Sequence, residues 1–319
     1  MNSDLKRKLK DIEYSAIFFK IVVYLLLTGL AFVFLYPFMS MIIDSFKSYS
    51  DITNNTVKWI PRDPLTSNYV LAFEALDVFK TFSNSFLVTV LSTIGHILSC
   101  SLVAYGFARF KFPLRSLLFG IVILSILIPT QTLIIPSYIT WSNFGMDDTF
   151  FPMILPTFFG FGLRGGIFIF LFWQYFLKVP KSLEEAALID GCGPFKTFVK
   201  VVFPTTGATL IVCLLLSIVW HFNDSYEPSI YLYSYDKYML PQMLEMLNSM
   251  LSQMQNDISG GIGDAAGAVE QIANDVQVMY HRGVVMAATT ICLLPLFVVY
   301  VALQRKFIAG VERSGLTGE

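Results

Sequence analysis

Six stretches of this chain stay apolar for about the 20 residues a helix needs to cross a bilayer's hydrocarbon core. They run over residues 17–43, 82–108, 117–138, 151–177, 206–225 and 284–303. Each run is continuous rather than alternating, which excludes a closed barrel. Only 14% of the residues are charged, against roughly 25% in soluble domains. The reading is an all-α polytopic membrane helix bundle with six transmembrane helices. Pro129 and Pro136 predict a kink or break in the third span, where neighbouring helices can satisfy the freed backbone groups. The first run follows a charged start, is too long for a signal peptide and has no small-residue cleavage site, so it reads as a span.

Basic residues set the orientation. Lys6, Arg7, Lys8 and Lys10 precede the first span, and Arg109, Lys111 and Arg115 separate the second from the third. Lys178, Lys181, Lys196 and Lys200 lie between the fourth and fifth, and Arg305, Lys306 and Arg313 follow the sixth. The opposite loops are longer, poorer in cations and carry acids such as Asp147, Asp148, Asp257, Asp264 and Glu270. This predicts a multi-pass membrane protein with both termini cytoplasmic. Residues 1–16 form the N-terminus, 17–303 the six-span domain and 304–319 the C-terminal tail. Within the domain, 178–204 is a cytoplasmic loop and 227–279 an extracellular one. The outer loop 44–81 carries turn signals at Pro61 and Pro64 and reads as ordered. In the later outer loop, Leu240, Met243, Leu244, Leu247, Leu251 and Met254 share one helical face. That face reads as packed on its own protein or the bilayer surface, with contact to an extracellular protein as the alternative.

The net charge of -1 gives no hint of nucleic-acid binding. Cys100, Cys192, Cys213 and Cys292 have no CxxC spacing, so neither a disulfide framework nor a metal site is indicated. No GxxxxGK[ST] sequence occurs, and Gly260, Gly261 and Gly263 lack the Lys-Ser/Thr of a phosphate loop.

The loop at 178–204 is polar where its surroundings are apolar. Ser182 and Glu185 have the spacing of a capping box. The helix they open, 183–190, meets Gly191, a residue suited to a left-handed stop. Pro194 suits the first turn of a second helix, whose Phe195, Phe198, Val199 and Val202 form one apolar face. Pro204 is expected to close it before the fifth span. Two short helices at a glycine turn make a knob that can transmit force, or an ordinary connector lying on the headgroups.

Glu185-Ala186-Ala187, then Asp190-Gly191, then Val202-Phe203-Pro204 resembles the EAA signature of ABC-importer permeases. The resemblance extends over most of the chain. Ser45-Phe46-Lys47, Trp59-Ile60-Pro61, Asn68-Tyr69, the run from Ala104 to Pro113 and Trp220-His221-Phe222-Asn223-Asp224 look like the carbohydrate branch, similar to the second permease of maltose and multiple-sugar importers. Cys192-Gly193-Pro194 and Phe203 depart from the usual small residue and Leu. The resemblance implies that Glu184, Glu185, Ala186, Ala187, Asp190, Gly191 and Pro204 couple to an ATPase. It implies two separate ATPase subunits that carry ATP and Mg, a second homologous permease in a heterodimer and an extracellular sugar-binding protein. This chain would bind no cofactor and catalyse no reaction itself.

Four residues are candidates for the substrate path. Arg164 reads as a charge near the middle of the fourth span, where facing lipid would cost several kcal/mol. It either faces a cavity or marks a helix break with its guanidinium on backbone carbonyls or a neighbouring subunit. His96, with Asn84, Thr89, Ser92 and Thr93, lines a polar path or makes interhelical hydrogen bonds. Trp220 and Asn223 suit either sugar contact or the interfacial aromatic belt. Two alternatives stand: an ABC permease for a non-sugar solute, and a secondary transporter. The latter calls for inverted repeats and midplane ionisable groups, of which only Arg164 is present.

Overall fold

A computed structural model describes residues 3–54, 56–259 and 281–316, with side chains over 17–54, 56–253 and 281–306. The chain divides into two compact units, residues 1–72 with 268–290, and residues 73–267 with 291–319.

In the first unit, α1 (Ser3–Ser45) turns apolar from Ile17 onward, and no residue from Ile17 to Asp44 is buried. That is the surface of a helix solvated by lipid. The loop after it is ordered, as its turn signals predict. Ser48 caps α2 (Tyr49–Thr53), and the carboxylate of Asp51 accepts from Arg62 N at 2.9 Å. The buried Asn68, in α3 (Ser67–Ala75), donates to the carbonyls of Ser45 and Lys47 at 2.8 and 2.9 Å.

The second unit is organised around α4 (Val78–Arg109), with α5 (Arg115–Leu127), α6 (Thr130–Asn143), α7 (Phe151–Ile154), a 3-10 turn (Leu155–Phe159) and α8 (Gly165–Lys178). There follow α9 (Lys181–Ile189), α10 (Pro194–Thr197), a π turn (Phe198–Val202), a 3-10 turn (Phe203–Thr206) and α11 (Gly207–Phe222). Then come α12 (Tyr226–Tyr231), a 3-10 turn (Tyr235–Lys237) and α13 (Leu240–Ser259). The last described helix is α14 (Arg282–Leu316). No strand occurs among the described residues.

Among the described residues, four helices are long and apolar enough to span a membrane: Ile17–Ser45, Val78–Arg109, Pro194–Phe222 and Arg282–Lys306. The third predicted span is the bent pair α5 and α6, which meet at 102°. The break falls at Pro129, which forces Ile128 into an extended conformation; Pro136 stays inside α6. The fourth predicted span is not one helix, and Arg164 does not lie at a helix centre. Gly160, Gly162 and Arg164 take positive φ of 73°, 101° and 58°, and α8 starts only after them. Pro152 and Pro156 each open a short helical turn before the break.

The core lies where α4 meets α8 and α11. Phe168, Phe172 and Phe176 are fully buried at i, i+4 and i+8 on α8. They pack on small residues of α4, including Cys100 and Ala104, with Cys213 of α11 in the same cluster. Small residues at such contacts let backbones approach closely without a hydrophobic drive between helices. The closest approach is at Gly95, where a Cβ would collide with the Thr157 and Phe158 side chains. Polar residues of α4 reinforce the packing: Thr93 shares a hydrogen bond with Ser217 at 3.0 Å, and Ser92 donates to Met153 O at 3.3 Å. Asn84 donates to the carbonyls of Asp236 and Tyr238.

On α13, Leu240, Met243 and Leu247 are buried, so that apolar face packs on its own protein; the side chain of Met254 lies outside the described residues. The glycine- and acid-rich half of that loop also lies outside them.

Gly95→Leu forces apart the contact with the buried Thr157 and with Phe158, and overpacking of this kind costs about 1–3 kcal/mol. Gly106, on the same helix, has nothing within 4 Å of a would-be Cβ. Thermal unfolding in detergent should show a lower Tm for Gly95→Leu and an unchanged or higher one for Gly106→Ala.

Candidate functional site

The polar connector forms the two-helix knob its sequence suggests, with corrected ends. Ser182 does not cap α9. Pro180 holds the N-cap position with extended ψ of 133°, and no side chain caps the helix. Its φ, locked by the ring at −58°, already sets the helix direction, leaving Ser182 within the first turn. The far end follows the glycine stop: Gly191 has φ of 77°. Gly191 N donates to Leu188 O at 3.0 Å and Cys192 N to Ala187 O at 2.9 Å, the paired bonds of a Schellman motif.

Pro194 opens α10, but Pro204 does not close the second helix. It sits inside a 3-10 turn that carries the chain on into α11. The intervening π turn divides the predicted apolar face. Phe198 and Val202 are buried, with the Phe198 ring 5.0 Å from that of Tyr105, while Phe195 is 67% exposed.

One ion pair fixes this knob to the core. Arg109, the last residue of α4, places Nε 2.5 Å from Glu184 Oε1, and both side chains are largely buried. The Nε–H does not point along a hydrogen-bond direction to that oxygen, so the attraction is mainly coulombic. Its NH2 group donates to Val179 O at 2.6 Å. Arg109 thus holds the start of α9 by a charge and by a carbonyl. Ala187 is buried beneath the helix, whereas Glu185, Ala186 and Asp190 are exposed. Leu183, Leu188, Ile189 and Phe195 are large apolar side chains left exposed on a rigid polar knob, Ile189 at 86%. Pro204 is also exposed.

The broken segment brings together three of the four path candidates. Arg164 places its guanidinium 4.6 Å from the centre of the Trp220 ring, rather than on backbone carbonyls. Such cation–π contacts contribute about 0.5–2 kcal/mol. Trp220 also meets Phe168 at 5.4 Å, and Phe168 meets His96 at 4.7 Å. His96 is fully buried, with Nε2 3.2 Å from Phe161 O and Nδ1 3.1 Å from His221 Nε2. A carbonyl only accepts, so His96 carries its proton on Nε2, and its Nδ1 accepts from His221. His96 therefore braces the broken segment from inside and presents no surface to a solute. Asn223 is exposed at the end of α11, outside this cluster.

Beside the broken segment lies a cleft of about 470 Å³. Ser137, Thr140 and Trp141 of α6 line it, with Phe159 and Phe161 of the break and Glu227 and Tyr231 of α12. The Glu227 carboxyl is pushed up to about 8 by burial and, next, by the charge of Asp224. Asp224 is itself raised by burial, against the backbone N–H groups of Tyr226 and Glu227 and the charge of Arg164. Neither Glu227 nor Tyr231 stands out in the sequence, because both come from a region far from Trp141 in the chain.

The two sides of this cleft are tied at Asp148, buried and left-handed at φ 53°. Its carboxylate accepts from Tyr233 N, Ser234 N, Ser234 Oγ and Lys237 Nζ at 3.1, 3.0, 2.6 and 2.7 Å. Burial alone would raise this acid, but the Lys237 and Ser234 bonds, with the backbone N–H groups, hold it well below the usual carboxylate range.

These features define a class: a polytopic helical membrane protein that offers a rigid, partly apolar knob at one end of its buried bundle. A family model described as "Binding-protein-dependent transport system inner membrane component" matches residues 93–313. The chain belongs to that family and is a membrane component of a binding-protein-dependent ABC transport system. It is 27% identical over 88% of its length to a probable starch degradation products transport system permease protein of Thermoanaerobacterium thermosulfurigenes, covering 91% of that protein. It is 26% identical over 91% of its length to the arabinooligosaccharides transport system permease protein of Halalkalibacterium halodurans, covering 93% of it. Among solved structures, a bacterial ABC transporter involved in import of the acidic polysaccharide alginate superposes with a TM-score of 0.71. That match covers 92% of this chain and 98% of the other at 21% identity, and it shows the fold.

Two predictions concern these contacts. Removing one member of a buried pair leaves a stranded charge, at a cost of about 3 kcal/mol or more. Arg109→Ala and Glu184→Ala should each lower Tm and speed proteolysis at the connector, while the double variant falls short of the summed losses. For Asp148 the folded pKa is depressed, so its contribution is complete above the unfolded value of about 3.9 and fades as pH falls below it. Thermal unfolding followed from pH 6 down to pH 3 should fall in the wild type, and Asp148→Asn should be less stable at pH 6 with a flatter slope.

Proposed function

We propose that this chain is one permease subunit of an ATP-driven carbohydrate importer, with an oligosaccharide as cargo. It forms half of the translocation path beside a second, homologous but different permease. The observation that carries the coupling role is the knob of α9 and α10, which leaves the large apolar side chains of Leu188, Ile189 and Phe195 exposed. A large apolar surface of this kind on a polar element marks a protein contact. Two separate ATPase subunits, which hold ATP and Mg, supply that contact. The relatives named above carry carbohydrate degradation products and arabinooligosaccharides by their descriptions, which supports a sugar as cargo. An extracellular sugar-binding protein delivers it.

The basic residues at Lys178, Lys181, Lys196 and Lys200 support a cytoplasmic knob, with both termini on the same side. Closure of the ATPases then moves α9, and the Arg109–Glu184 pair passes that motion to α4. Gly95 and His96, on the same helix, bear directly on the broken segment through Thr157 and Phe161. A shift of α4 thereby displaces the segment that positions Arg164. Glu185, Ala186 and Asp190 stay exposed for the partner, and Gly191 keeps the turn that separates the two helices.

Glu185→Lys reverses a charge at the contact. Gly191→Pro removes the N–H that bonds Leu188 O and forbids the positive φ. Both variants should insert normally yet lose ATP-driven uptake, with ATPase release or uncoupled hydrolysis. Normal uptake in both, measured in reconstituted vesicles, contradicts the coupling role.

A further inference from the structure

The cleft between α6, the broken segment and α12 has a lining that selects by chemistry. At about 470 Å³ it falls within the range of about 300–1,000 Å³ typical of small-ligand sites. Trp141, Phe159, Phe161 and Tyr231 supply aromatic surface, and Ser137, Thr140 and Glu227 supply polar atoms. Sugar rings present just this mixture, apolar C–H faces with hydroxyl groups at the rim. No lysine or arginine lines the cleft among the described residues. Arg164, the nearby cation, is engaged on the Trp220 ring.

We propose that this cleft is a binding site for an uncharged sugar unit, held on its aromatic walls with Glu227 bonding a hydroxyl, and that it disfavours uronate units. The inference rests on the carbohydrate reading above and adds where a sugar is held and of which charge.

Glu227 is suited to the role because its carboxyl, raised to about 8 by burial and Asp224, is mostly protonated at neutral pH. It can therefore both donate to and accept from a hydroxyl. A uronate carboxylate entering the cleft would find no lysine or arginine in its lining to offset it, and an unpaired charge in such a site is costly. Protonation thus makes the site compatible with neutral sugars, and the missing cation makes it unfavourable to acidic ones. Glu227 supplies the carboxyl in the cleft's lining, whereas Asp148 is bonded to Tyr233, Ser234 and Lys237 outside it.

The test uses the complete transporter, with its ATPases and binding protein, in vesicles. Uptake is measured for maltotriose, arabinotriose, lactose and trigalacturonate, and the best-transported sugar is also prepared as a photoreactive derivative. The wild type should favour a neutral probe over trigalacturonate. For that probe, Glu227→Leu and Trp141→Ala should each raise KM by about tenfold, the loss expected for one hydrogen bond or one stacking surface. Glu227→Gln, which keeps both a donor and an acceptor, should stay within about twofold of wild type. The photoreactive sugar should label the segment holding Trp141 or Glu227. Unchanged KM in both Glu227→Leu and Trp141→Ala overturns the site, as does labelling confined to the second permease or to lipid. A wild-type preference for trigalacturonate overturns the charge selection. If the assembled wild type transports none of the four, the carbohydrate reading itself fails and the inference falls with it.

Discussion

Arg109 and Glu184 carry opposite charges where water has largely been excluded, and the rest of the architecture depends on their meeting. Arg109 ends the helix that runs through the centre of the buried bundle, and Glu184 lies in the first turns of the connector helix. A buried pair with good partners is not a strong source of stability in itself, but losing either member is costly. The pair therefore works as a directional fastening. It leaves the connector's outer surface free while tying its inner surface to α4. The Phe198 and Val202 side chains add an apolar foot under the second half of the connector, so the knob has two attachments and little freedom to pivot.

Along α4 the same logic repeats with smaller groups. Gly95 lets Thr157 and Phe158 approach, His96 holds Phe161 O, and Thr93 reaches Ser217. One helix thus carries both the connector contact at its end and the supports of the broken segment near its middle. That arrangement gives a physical route for displacement between them. The strained left-handed residues of the break are held by these neighbours, since Arg164 and Gly162 would not adopt positive φ together in an unsupported apolar stretch.

Much of this was legible in the residues and part of it was not. The lengths of the apolar runs located α1, α4, α11 and α14, because spanning lipid imposes length and apolarity that composition displays directly. Gly191 marked its turn and Pro129 its break, since each has a backbone constraint of its own. The split of residues 151–177 was hidden, because a break inside a protein-packed segment leaves hydropathy unchanged. Ser182 misled because a local capping pattern cannot show that Pro180 has already fixed the helix start. Arg109 with Glu184, His96 with His221, and Glu227 with Trp141 are each far apart in the chain, and no periodicity joins them. The polar residues of α4 read as either path or packing, and the hydrogen bonds of Ser92, Thr93 and His96 place them in packing.

Cys192 offers the most direct measurement of the central claim, that the connector is where a separate ATPase acts. It sits at the turn between α9 and α10 and is half-buried, whereas Cys100, Cys213 and Cys292 are buried. A thiol-reactive photocrosslinker attached there in intact inside-out vesicles should join this chain to an ATP-binding subunit, with a yield that changes when ATP is bound. Adducts with lipid alone, or with no ATP-binding protein, would contradict the account.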